Sequence, residues 1–440
     1  MTARLIPSRR CLASLLPLLL LGLACPRPSL VEERGQRVPV SDGWLAMGTF
    51  FEADLRVDRG QEAAARDWLV WARAEVERLE AIYSRWQTQS ELSRLNRQLA
   101  RVRAGEPIPL GPELRAILVE ALEIGRRSQG AFDVTVGRSV ALWREAARSG
   151  RMPTDEAIAE ARRAVGFQHL SIGAEAGLMA AMPGIEIDLD GLSKGAVLDR
   201  LAARLETKLP GVPALLTFGQ SSLLAIGDPD GQGWRLAVRS RRQGQPILAR
   251  LVLRDRALSV SSSQGGTIEI GGRRLSHVVD PRVGRPVPGL VEAVVVGARA
   301  AQVDSWSTAL LVAGGTQDEL RAGLAALEAE GLEAWIEGSS TSARTTGWHK
   351  LEADGSGASS PENQSAPDSP ASAQSRRASS LQEHSRPVPP HEPFSSRPVN
   401  TTPTAMAATA RQKIVAVARN VVIGLSRAEG RGPVGRTAGD

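Results

Sequence analysis

Thiols are nearly absent from this 440-residue chain: it has two cysteines, Cys11 and Cys25, both near the N-terminus. A body free of cysteine excludes disulfides, cysteine nucleophiles and cysteine-ligated metal centres. Histidine is also sparse. Outside the C-terminal stretch only His169, His277 and His349 occur, and no two have the spacing of a helical zinc motif, which argues against zinc hydrolase chemistry. The sequence has no Gly-x-Ser-x-Gly elbow, no Walker loop and no repeat of fixed period. Lysine appears only as Lys194, Lys208, Lys350 and Lys413, so arginine carries nearly all the positive charge. The net charge of +6 is spread among many acids without a dense basic block, and gives no support to nucleic-acid binding. A hydrophobic content of 42% is ordinary for a globular protein, and the length suffices for two or three domains.

The N-terminus carries an export pattern. Arg4, Arg9 and Arg10 precede an apolar run from Leu12 to Ala24, too short to span a bilayer comfortably, so residues 1–25 read as a secretory signal. Cys25 follows Leu-Leu-Gly-Leu-Ala, which fits lipoprotein processing with a lipid on Cys25. Gly22 stands where a larger aliphatic residue is usual, so ordinary cleavage or a retained anchor also fit.

Residues 26–42 read as a linker and Met47–Leu55 as a first strand. Leu69, Ala72, Val76, Leu79 and Tyr83 mark one face of a long helix, and Pro112 starts a second. Short β-rich runs follow at 214–218, 223–226, 234–238, 247–253, 267–270, 275–279 and 291–297. Residues 300–313 read as a helix, Thr316 and Glu319 as a capping box, and Leu332–Glu337 as a last strand. Composition breaks near residue 353. The Ser/Pro/Ala/Gln-rich tail, 353–440, is expected to be mostly disordered, with an amphipathic helix at 411–425 as one reading of its end.

The segment Ile187-Asp188-Leu189-Asp190-Gly191-Leu192-Ser193-Lys194-Gly195 concentrates the chemistry. An apolar run ends in two carboxylates, a flexible glycine and a cap residue, Ser193, before a periodic helix through Leu198, Leu201, Ala202 and Leu205. Carboxylates at such a junction can hold a hard cation beside free backbone N–H groups. Lys194 puts a scarce point charge where the helix dipole disfavours it; contact with a phosphate and a plain surface lysine are both consistent with that. Asp304 and Thr308, four apart on one helical face, suit either a hard cation or a surface acid beside a threonine bonded back to the helix. His277 is read at a strand end before the Asp280–Pro286 turn, where it is either a positioned polar group or structural. The passage Ala131-Phe132-Asp133, ahead of Leu142-Trp143, can pack a flat ring and hold a ligand amide, or simply be a tight turn closed by the aspartate.

In this order and spacing, Met47-Gly48-Thr49, Ser84-Arg85-Trp86, Ser90 to Asn96, Ala131-Phe132-Asp133, Asp188 to Gly195, Ser276 to Pro286 and Asp304 to Thr308 resemble the FAD:protein FMN transferase family, the ApbE-type flavin transferases. The resemblance spans about residues 44–337. It implies an α+β fold, a two-part body of mixed or antiparallel sheets flanked by helices, filling residues 43–352. It further implies FAD contacts at Met47, Trp86, Ala131, Phe132, Asp133, Asp188, Lys194 and His277, with Mg²⁺ held by Gly191 (through its carbonyl), Asp304 and Thr308. Catalytic roles fall to His277 and Lys194: FMN would move from FAD onto a threonine of an exported acceptor protein, with loss of AMP. A non-catalytic FAD-binding protein, and an FAD pyrophosphatase giving FMN and AMP, are the alternatives. Gly219-Gln220-Ser221 and Ser262-Ser263 depart from the family pattern by placing side chains where glycine usually lets backbone approach a ligand, and Arg239-Ser240-Arg241 replaces the Asp-Pro that usually ends the central strand.

Overall fold

The computed structural model describes residues 37–173, 177–219, 221–239, 247–264, 266–289, 292–314, 316–338, 342–353 and 421–423. The signal region, Cys25, most of the tail and Gln220, Ser240 and Arg241 therefore lie outside the described residues. Eight helices organise what is described: α1 Glu62–Tyr83, α2 Glu91–Leu99, α3 Pro112–Arg127, α4 Gly137–Ser149, α5 Asp155–Arg162, α6 Ser193–Lys208, α7 Ala300–Ala313 and α8 Gln317–Ala329. The expected α+β class holds.

An eight-stranded sheet forms the centre. Its order is Val38–Ala46, Thr49–Val57, Ala214–Phe218, Ser222–Ile226, Arg256–Ser262, Glu292–Gly297, Glu333–Glu337 and Ser342–Arg344, every neighbour antiparallel. Alternation along the strands sorts two cores. Ala257, Ala293 and Val295 join the large core that also holds side chains of α1, α3, α6 and α7. Leu258, Val260, Val294 and Val296 point the other way, onto the strands Trp234–Val238 and Ala249–Leu253 and onto Trp348. A satellite core of Trp143, Ala146, Ile158, Ile270 and Val279 seats the hairpin Thr267–Ile270/Arg273–Ser276 on α4 and α5.

Several boundaries differ from the sequence reading. The strand Val38–Ala46 begins inside the segment read as linker, and it pairs with Thr49–Val57 across a two-residue turn, Met47-Gly48. Val38, Val40 and Trp44 alternate inward, too short a pattern to stand out beside Pro39 and Gly43. Ser193 is the first residue of α6 and not its cap: Leu192 holds the cap position with no side-chain bond. The run 275–279 splits, with strands at Arg273–Ser276 and Val279–Asp280 and His277 between them. Of the helix read at 411–425, the described residues Val421–Ile423 form a strand instead, paired with Trp234–Val238; three consecutive β-branched residues favour that outcome.

One buried ion cluster couples α1 to α6. Glu75 accepts from Arg78 at 2.8 Å and from Arg200 at 2.9 Å, and the Arg78 contact foremost holds its carboxyl down at about 2. A carboxylate depressed in the fold stabilises it above the unfolded value and loses that contribution as pH falls through the folded one. Both arginines are about half exposed, so screening limits the gain to about 1 kcal/mol. Glu75→Gln is therefore expected to flatten the loss of urea stability between about pH 6 and about pH 2.5. Parallel curves for variant and parent would contradict this.

Candidate active site

Four stretches of chain meet around the turn that precedes α6. Ile187 is held on both backbone groups by the Asn96 amide, at 2.8 and 2.9 Å, as a strand partner would hold it. The Asp188 N–H donates to the Val134 carbonyl at 2.7 Å, so the passage 131–136 lies alongside 186–188. Gly191 then passes close to α7. A Cβ built on it would sit 3.2 Å from the Phe132 ring and 3.3 Å from Thr308 Oγ1, so only glycine lets the backbone approach both without crowding. Gly195 approaches closer still: a Cβ there would fall 2.3 Å from the Ala300 carbonyl oxygen.

Asp304 is buried, at 5% exposure, and takes three hydrogen bonds. Its Oδ1 accepts from Ser222 and Ser259 hydroxyls, both at 2.9 Å, and its Oδ2 accepts from the Gly195 N–H at 3.2 Å. Hydroxyls continue the network: Ser307 lies 3.0 Å from Ser259 and 2.8 Å from Ser261, and Ser261 lies 3.4 Å from Thr308. Thr308 is also 3.4 Å from the Asp304 carbonyl, a weak back-bond that leaves its hydroxyl available. Lys194 Nζ donates to the Asp190 carbonyl at 2.9 Å, folding its charge over the same turn.

The wall beside this turn is an alternation of acid, arginine and aromatic. Arg85 pairs with Asp188, and with Glu186 at 2.8 Å. Its pKa is raised: burial opposes the charge, and Asp188 and Glu186 outweigh it. Asp188 Oδ1 also accepts from the Asp190 N–H at 2.9 Å. Half of the Asp190 side chain reaches solvent, but desolvation first, and then the charge of Asp188, push its carboxyl up to about 6. Trp86 is 61% exposed, and carries Arg144 at 4.2 Å and Arg85 at 5.3 Å from its ring. Ser84 Oγ accepts from the N–H groups of Trp86 and Gln87, which fixes that bend.

Met47 sits in the hairpin turn with φ +48°, a left-handed backbone that a long side chain rarely adopts. Its N–H donates to Glu80 at 3.1 Å. Such conformations cost about 1–3 kcal/mol and gather at ligand sites. Gly219 packs against the same turn: its N–H bonds the Phe50 carbonyl at 2.6 Å, and a Cβ on it would strike Thr49 Oγ1 at 2.4 Å.

The model for the ApbE family matches residues 47–336. The chain belongs to the ApbE family. A FAD:protein FMN transferase of Klebsiella pneumoniae is 29% identical over 340 residues, covering 74% of this chain and 94% of its own length. One from Salmonella typhimurium is 30% identical over 299 residues, covering 64% and 80%. The apo form of Pseudomonas stutzeri flavinyl transferase ApbE matches with a TM-score of 0.61 at 26% identity, over 73% of this chain and 98% of that one. The Thermotoga maritima ApbE structure, at 21% identity and a TM-score of 0.63, shares the fold.

In this ApbE chain the structure brings Gly191, Phe132, Asp304 and Thr308 together, with Lys194 on the same turn. Trp86 joins through Arg85 and Asp188. Asp133 is buried, and its carboxylate is spent locally, accepting from Thr135 N–H and hydroxyl and from Phe167 N–H; burial raises its pKa against those bonds. Ala131 is buried as well. His277 is exposed just after its strand, its ring against Gly266. Sequence reasoning missed Ser222, Ser259, Ser261, Ser307 and Arg144. The alternation Ala257, Ser259, Ser261 against Leu258, Val260 is the signal that marks a strand with one polar buried face.

Proposed function

We propose that this chain is a Mg²⁺-dependent FAD:protein FMN transferase that moves FMN from FAD onto a threonine hydroxyl of an acceptor protein and releases AMP. The observation that carries the reading is the meeting of Gly191, Asp304 and Thr308 beside Lys194. Among the described residues, no cluster of three or more His, Cys, Asp or Glu side chains is disposed to hold a metal. A cation here would rest on a mixed, all-oxygen set: the Asp304 carboxylate, the Thr308 hydroxyl and the Gly191 carbonyl. That set fits a hard ion. Three donors occupy Asp304, leaving one of its roughly four lone-pair positions. When bound, Mg²⁺ would neutralise charge on the diphosphate and on the leaving phosphate.

The chain's own residues do the rest. Trp86 offers an exposed flat ring for the isoalloxazine, and the Phe132 ring lies beside Gly191. Lys194 adds a fixed positive charge near the phosphates. The threonine oxygen bonds to the FMN-side phosphorus, and the phosphorus–oxygen bond to AMP breaks with its electron pair on AMP. His277 takes the hydroxyl proton and returns it to solvent. The basic, apolar, cysteine-ended N-terminus supports export, with the enzyme in the periplasm or held facing it by lipid on Cys25.

Incubating the purified protein with FAD, Mg²⁺ and a threonine-containing acceptor domain is expected to give AMP and a fluorescent acceptor band in equal amounts. AMP without a labelled acceptor would point to FAD hydrolysis, and retained FAD without AMP to a binding protein; either sinks the transferase reading. Trp86→Ala is expected to raise the Kd for FAD about tenfold or more, the worth of one aromatic stack. Because the ring is 61% exposed, Tm should hold. Unchanged FAD affinity by fluorescence titration would remove Trp86 from the site.

A further inference from the structure

We propose that Asp199 is a positioning residue that sets cation affinity by tying α7 to α6; the inference rests on the function proposed above. Helix α7 begins at Ala300 after Arg299, which gives no side-chain cap. Its first N–H groups need acceptors from elsewhere. Asp199 supplies them from a different helix, accepting from Ala300 N–H at 2.7 Å and Ala301 N–H at 3.1 Å. A carboxylate at that end also complements the α7 dipole.

Asp199 stands four residues after Gly195, on the same face of α6. Gly195 makes the second tie, its N–H to Asp304 Oδ2 at 3.2 Å. The two ties lie one helical turn apart, and together they fix where α7 sits along α6. That register decides the chemistry. The turn ahead of α6 offers the Gly191 carbonyl and the first turn of α6 offers Lys194, while α7 offers Asp304 and Thr308. The oxygen set therefore comes from α7 and from the turn leading into α6, whose mutual position Asp199 holds. Arg299, 3.9 Å from Asp199 and 3.0 Å from Glu120, keeps the carboxylate partnered on its outer side. Asp199 donates nothing to the cluster itself, so its effect passes through α7.

The test is Mn²⁺ binding followed by electron paramagnetic resonance on the full-length protein without FAD, for wild type, Asp199→Ala and Asp199→Asn. Removing both Asp199 hydrogen bonds in the alanine variant is expected to weaken Mn²⁺ about tenfold or more, as losses of outer supports do. The asparagine variant keeps one acceptor oxygen and is expected to fall between, about threefold or more weaker. In turnover, the Mg²⁺ requirement should rise in parallel while kcat at saturating Mg²⁺ stays near wild type. A merely structural loss would instead lower the active fraction at every Mg²⁺ concentration. Either folded variant binding Mn²⁺ like the wild type overturns the proposal, and the asparagine variant decides alone if the alanine variant does not fold. Absence of Mn²⁺ binding by the wild type overturns the function and this inference together.

Discussion

Asp304→Ala is expected to lower kcat/KM for AMP release by about a thousandfold, the upper end for losing one preorganised electrostatic group. Asp304 is buried at 5% exposure, and its two oxygens gather three donors from the strands Ser222–Ile226 and Arg256–Ser262 and from α6. Alanine removes the only carboxylate of the oxygen set and also leaves those donors without their acceptor. Each unsatisfied buried group costs about 1–3 kcal/mol. Ser259 can fall back on Ser307, 3.0 Å away, so part of that loss is recovered. Asp304→Asn separates the effects. Its carbonyl oxygen can still accept from both serines, whereas its NH2 cannot accept from the Gly195 N–H, so it loses the negative charge and that one tie. A variant with nearly normal Tm and little activity is the expected result, measured by thermal denaturation beside AMP release. Asparagine with wild-type turnover would mean the carboxylate charge has no part in the reaction.

Gly195→Ala is expected to force apart the seam between α6 and α7. In a helix interior alanine should gain about 1 kcal/mol over glycine. Here the added Cβ would meet Ala300 O at 2.3 Å and Ala301 N at 2.6 Å. Both are backbone atoms at the start of α7, so no side chain can swing aside. The helices must part instead, at the cost of about 1–3 kcal/mol typical of overpacking. The clash outweighs propensity. The shift also moves Asp304, whose Oδ2 is bonded to this residue's N–H. Thermal unfolding should show Tm lower by several degrees, and Mn²⁺ affinity should fall with it. A variant as stable as the parent would contradict the close approach of α6 and α7.

Much of the frame was legible in the sequence. The helix at 300–313 and the Thr316/Glu319 capping box appear as read, both bonds of the box being present. The turn before α6 stood out because carboxylates, glycine and a rare lysine coincide there. What the sequence hid was the support beneath it. The central strand Arg256–Ser262 passes unread because Ser259 and Ser261 interrupt its apolar pattern. Those hydroxyls bond to Asp304 and Ser307 on α7, partners some 45 residues away. Helix α4 hides for a related reason: Trp143 and Ala146 face a satellite core built by a distant hairpin. For His277 the reverse holds. Motif spacing singles it out, while the fold leaves its ring exposed at a strand end.

The proposed function requires separate parts of the chain to supply one seat for a divalent ion, and anomalous diffraction from crystals grown with Mn²⁺ and FAD inspects that seat directly. The expected map has a manganese peak coordinated by the Gly191 carbonyl, Asp304 and Thr308, with the diphosphate completing its shell. A peak bound elsewhere, or an ordered diphosphate with no metal beside Asp304, would contradict the account.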